Sequence, residues 1–144
     1  MKPFKQLSFH DNKTLLNLPA YIALLAANAD GKLDEDEKLA SIEYAHIKTF
    51  SFDPLLDTFY KEVDRIFEIT LMQLNKQLPK GKKNREIAIK NELSDIKKIV
   101  SKLDSKQVSV IHHNMNALIE HVSRAHHNVL IDFIFPIPMP GIVL

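Results

Sequence analysis

Apolar residues recur along this chain at intervals of three and four, with few tight-turn signals between them, and that spacing predicts helices. From about Leu16 to Asn28 the pattern changes: Leu16, Leu18, Tyr21, Ile22, Leu24, Leu25, Ala26 and Ala27 leave almost no polar side. A helix apolar all round belongs in the middle of a bundle. Pro19 falls early, where a helix tolerates a missing N–H, and Gly31 after Asp30 supplies a left-handed stop. The next helix should open at Asp34 as N-cap, with Glu37 three residues on completing a capping box. Its inward stripe reads Leu39, Ile42, His46, Thr49 and Phe50.

Asp53-Pro54 is a further start signal, a cap followed by proline. The helix it opens runs to about Leu78 on Leu55, Phe59, Val63, Ile66, Phe67, Thr70 and Leu74. Pro79-Lys80-Gly81-Lys82-Lys83 ends it in a basic loop. A fourth helix follows on Ile89, Leu93, Ile96, Val100 and Leu103. Asp104 or Ser105 then caps a fifth, with Val108, Ile111, Met115, Leu118, Ile119 and Val122 on one face.

The last segment, Val129 to Leu144, is apolar but broken by Asp132, Pro136, Pro138 and Pro140. A spanning helix needs roughly 20 apolar residues, so this is not a transmembrane segment. It is expected to strap across the bundle and fill an open groove, since monomers rarely expose large apolar patches; the alternatives are an exposed hook for a partner, a self-association contact or a membrane-surface contact. The pattern as a whole predicts one all-α domain over residues 1–144: a compact bundle of about five to seven helices with an apolar C-terminal strap.

Composition agrees. A 45% apolar and 26% charged chain is ordinary globular material, and three glycines are few for sheets joined by tight turns. The absence of cysteine removes disulfides, thiolate metal sites and cysteine nucleophiles. Residues Met1 to His10 lack the unbroken apolar core of a secretion signal, so a cytoplasmic protein is expected.

Charge is distributed unevenly. Asp30 to Asp64 carries ten acids and four bases, Lys76 to Lys106 ten bases and four acids, beneath an overall charge of +1. Such a dipolar surface favours oriented docking of charged protein partners through an acidic or a basic face.

The chemistry concentrates at the acidic corner from Asn28 to Glu37. Placing Gly31 at the sixth position of an EF-hand loop puts Asn28 at three, Asp30 at five, the Lys32 carbonyl at seven, Leu33 at eight, Asp34 at nine and Glu37 at twelve. Position one falls on Ala26, which has no side-chain oxygen, so an intact EF-hand is not expected. A reduced, weak oxygen site for a Ca- or Mg-like divalent cation is one expectation for Asn28, Asp30, Asp34 and Glu37. Helix stop and capping box explain most of these residues without metal. Asp30, Glu35 and Asp36 exceed what a cap requires.

The run from Ala20 to Glu37 resembles the first repeat of the tellurite-resistance TerB-like family: an alanine-rich helix, Ala29-Asp30-Gly31, an apolar residue, and a glutamate six after the glycine. The resemblance covers about twenty residues, and no second Ala-Asp-Gly copy follows Pro79. It implies a helical bundle, divalent-cation binding around Asp30 and Glu37, and a role in stress-linked or membrane-associated complexes.

Other chemistry is thinner. Glu43-x-x-His46 matches one half of a di-iron bundle motif, which needs two copies and two further glutamates. His112, His113, His121, His126 and His127 do not converge as ligands, because His112 and His126 would stand about 21 Å apart on one helix. Lys76, Lys80, Lys82, Lys83, Arg85 and Lys90 could attract nucleic acid, though no aromatic residues interleave. No nucleophile–base set or phosphate-binding loop is present. The expected protein is a non-enzymatic helical binding or adaptor module.

Overall fold

The computed structural model describes residues 3–28, 39, 40, 42–45 and 56–122, with side chains to residue 120. Five α-helices are defined: α1 (Phe9–Leu15), α2 (Leu18–Asn28), α3 (Asp57–Gln77), α4 (Lys82–Val100) and α5 (Ser105–Val122). Residues 39, 40 and 42–45 are also helical, and no strand occurs among the described residues. The all-α expectation therefore holds. The strap from Val129 to Leu144 lies outside the described residues.

Every residue of α2 is buried, and α3, α4 and α5 all pack on it. Its lack of a polar face fixes that position: any outer site would expose leucine and isoleucine to water, at about 1.5–3 kcal/mol per side chain. Pro19 sits in the first turn, where no intrahelical partner is lost.

The helix α1 was hidden from the pattern. Its inward contact is made by Asn12, only 4% exposed, as well as by Leu15. The Asn12 amide donates to the carbonyls of Phe4, Leu7 and Ser8 and accepts from the Phe4 N–H, tying the N-terminal segment into a knot. Ser8 caps the helix, its hydroxyl accepting from Asp11 N–H at 3.0 Å. The knot seats Phe4 against Phe59 of α3, ring centres 5.5 Å apart.

On α3 the buried side chains are Phe59, Tyr60, Val63, Phe67 and Leu71. Ile66, Thr70 and Leu74, expected inside, are half-buried, so the core face is rotated toward Tyr60 and Leu71. Leu39 is likewise exposed (57%), contrary to its expected inward place, while Ala45 is buried and Ile42 packs against the core. Pro54 and the start signal at Asp53 lie outside the described residues.

Asp104, not Ser105, caps α5. Its carboxylate accepts from Gln107 N–H at 2.8 Å, and the Gln107 side chain accepts from Asp104 N–H at 3.1 Å. This reciprocal pair satisfies two amides that the helix leaves without partners. Gln107 also accepts from the Gln6 side chain, placing the start of α5 beside the N-terminal segment. Among the described residues no helix is long and apolar enough to cross a membrane.

Candidate metal corner

The C-terminus of α2 is where the sequence concentrates its chemistry. Of the four residues expected there, Asn28 is described; Asp30, Asp34 and Glu37 lie outside the described residues. Asn28 is the last residue of an otherwise apolar-lined helix and is 2% exposed. Its side-chain nitrogen donates to the Lys82 carbonyl at 3.0 Å. Only the nitrogen can donate to a carbonyl, so the amide orientation is fixed. Its Oδ1 is left buried with no hydrogen bond.

Leaving a buried acceptor unpaired costs about 1–3 kcal/mol, and native structures rarely keep such groups without an ion, a water or a function. Asn28 also stands at the C-terminal, negative end of the α2 dipole.

The same hydrogen bond brings the basic loop to this corner, because Lys82 opens α4. Asn28 therefore stands beside the N-terminus of α4. Arg85 requires a correction to the nucleic-acid expectation: it is 6% exposed, not a surface charge. Its guanidinium donates to the Pro79 carbonyl at 3.2 Å, to the Asn75 carbonyl at 3.4 Å and to the Asn75 side chain. Burial lowers its pKa. It staples the α3–α4 turn, where the C-terminal carbonyls of α3 supply negative potential.

Glu43 is helical and exposed, which is not the inward placement a di-iron glutamate needs. His46 lies outside the described residues. Of the histidines, His112 is half-buried and His113 exposed; the His121 side chain, His126 and His127 are not described. Among the described residues, no group of three or more His, Cys, Asp or Glu side chains could hold a metal ion.

The pattern missed a buried polar seam. Tyr60 and Asn114 are 3% and 5% exposed. Burial raises the Tyr60 pKa, opposed by the neighbouring Asn114 side chain and assisted by Tyr44. The Tyr44 hydroxyl is pushed up to about 12 by burial and by the Glu120 carboxylate. Asn116 Oδ1 is also buried without a hydrogen bond. Asn114 stands three residues after Ile111, on the inward stripe, and that spacing was the available signal.

No family model, curated protein or solved structure matches this chain.

Proposed function

We propose that this chain is a non-enzymatic helical binding module of TerB-like type, which holds a hard divalent cation at the α2 corner and docks protein partners through its charged faces. The supporting observation is the Oδ1 of Asn28, buried and unpaired at the head of an acid-rich run. Asn28, Asp30, Asp34 and Glu37 would supply the oxygens, with waters completing the shell. Calcium or magnesium suits such a set, because all four donors are hard oxygens and no sulfur is available. With its carboxylates neutralised, the corner would present a different charge to a partner than in the cation-free form.

The experiment is an amide-shift titration with Ca²⁺, Mg²⁺ and Mn²⁺. The side-chain NH₂ pair of Asn28 and the backbone amides of residues 28–37 should move together and saturate in the micromolar to millimolar range, roughly 10⁻⁵–10⁻³ M. Asn28→Ala should weaken the response about tenfold, one ligand's worth of about 1.4 kcal/mol. Silence across those residues at millimolar cation would leave Asp34 and Glu37 as capping residues only.

A further inference from the structure

A groove of about 650 Å³ opens between α1 and the start of α3. Its apolar lining comes from Phe9, Leu16 and Ile66, and its charged rim includes Lys13, Lys61 and Arg65. Phe9 is 74% exposed, an unusual position for phenylalanine. The face of α3 that lines the groove lies opposite the one that Phe59, Val63 and Phe67 bury. Ile69 and Met72, four and seven residues after Arg65, extend the same outward face and are 64% and 40% exposed. One apolar track therefore runs along the outside of α3, beyond what the core requires.

We infer that the track is the seat of this chain's own apolar segment, residues 129–144, docked as an extended strand of proline-rich chain. Three observations select that occupant. The first is hydrogen-bonding demand. The groove walls are largely helical, their backbone groups paired except for first-turn N–H groups at the starts of α1 and α3, so an occupant rich in N–H donors would find few acceptors. Pro136, Pro138 and Pro140 lack N–H donors and favour an extended backbone that needs no partner for them.

The second is charge. Lys61 pairs with Asp57 at 3.2 Å and Arg65 with Glu62 at 2.8 Å. Lys13 has no acidic partner among the described residues. Asp132 is the single charged side chain between Val129 and Leu144. One acid meets one unpaired base.

The third is reach. The Gln6–Gln107 hydrogen bond sets the start of α5 beside the N-terminal segment, whose Pro3 lines the groove. From the far end of α5 the chain must return about 27 Å, at 1.5 Å per residue. Residues 123–144 span roughly 70 Å when extended. A tethered segment also acts at an effective concentration on the order of millimolar, well above that of a second copy in dilute solution.

The chain has no cysteine, so one nitroxide can be attached at Ile137→Cys in the full chain without further changes. Amide peaks of Phe9, Lys13 and Ile66 should be lost with the oxidised label and return on its reduction. A mixture of spin-labelled unenriched chain with ¹⁵N-enriched unlabelled chain should show no such loss. Intact peaks at the groove would overturn the inference, and so would losses confined to the mixture, which would assign the track to a second copy. A label at Met139→Cys repeats the measurement should Ile137→Cys fold poorly. Cation titration is a separate readout, so this inference and the proposal for the α2 corner can fail independently.

Discussion

Phe4 and Asn12 exchange a pair of hydrogen bonds: the Phe4 N–H donates to Asn12 Oδ1 at 2.9 Å, and Asn12 Nδ2 donates back to the Phe4 carbonyl at 3.0 Å. The amide reproduces a strand-like pairing within a helical protein. It lets the N-terminal segment turn onto α3 without leaving buried backbone groups unpaired. Replacing Asn12 by leucine keeps the volume and removes the amide. The Phe4 N–H and the Leu7 carbonyl would then be buried unmet, and the Phe4 carbonyl would keep only the Leu7 N–H. Asn12→Leu should lower unfolding free energy by about 3 kcal/mol. Urea denaturation should show a lower midpoint at unchanged slope. A shift under 0.5 kcal/mol, the size typical of a neutral surface change, would mean that water satisfies these groups.

The three tyrosines make a pH prediction. Tyr21 is raised by burial and by Glu92, Tyr44 to about 12 by burial and Glu120, and Tyr60 mainly by burial. Each folded-state pKa lies above the unfolded value near 10, so between these values the native state binds more protons than the unfolded chain. Stability is therefore fully present below pH 10 and falls as pH rises through the folded pKa values. Tyrosinate absorbance of the native protein should stay low at pH 10, then rise together with loss of helical circular dichroism. A tyrosine that ionises near 10 while the helices persist contradicts the packing described for it.

Arg85 shows why charge type matters at a buried turn. Its fork reaches the Asn75 and Pro79 carbonyls and the Asn75 side chain together. Lysine presents one compact ammonium and cannot span them. Arg85→Lys should destabilise the protein by about 1–2 kcal/mol, seen as a Tm lowered by roughly 5 °C. An unchanged melt would return Arg85 to the solvated charges of the loop.

The sequence carries the helices further than the site. Leu93, Ile96 and Val100, or Ile111, Met115, Leu118 and Ile119, repeat at helical spacing and are buried as that spacing requires. Likewise α2 is central because it has no polar face. Periodicity fails where polar residues do the packing: Asn12 conceals α1, and Asn114 with Tyr60 conceals the polar seam. A buried asparagine reads in sequence like an exposed one, since its partners come from residues far along the chain or from the backbone. The same holds for Arg85, whose burial depends on carbonyls at Asn75 and Pro79. At the α2 corner, Asn28 was singled out by spacing alone, and its unpaired oxygen could not have been read from that spacing.

Gly81 offers a change in the opposite direction. It is the N-cap of α4, and no side chain caps the helix there. Its φ of −69° and ψ of 135° are open to any residue, so glycine's left-handed freedom is unused. A Cβ at this position would come no closer than 4.0 Å, to the Asn84 side chain. A serine hydroxyl can accept from the N–H of Lys83 or Asn84, groups without intrahelical acceptors. The cap over glycine contributes a few tenths of a kcal/mol. Restricting the unfolded chain contributes about 0.4–1 kcal/mol more. Gly81→Ser should therefore raise stability by about 0.5–1 kcal/mol, read from the urea midpoint, with the Asn28 amide shifts unmoved because the Lys82 carbonyl keeps its place. A loss of stability would show that the turn between Pro79 and Lys82 needs the bare backbone for a reason that its dihedral angles do not reveal.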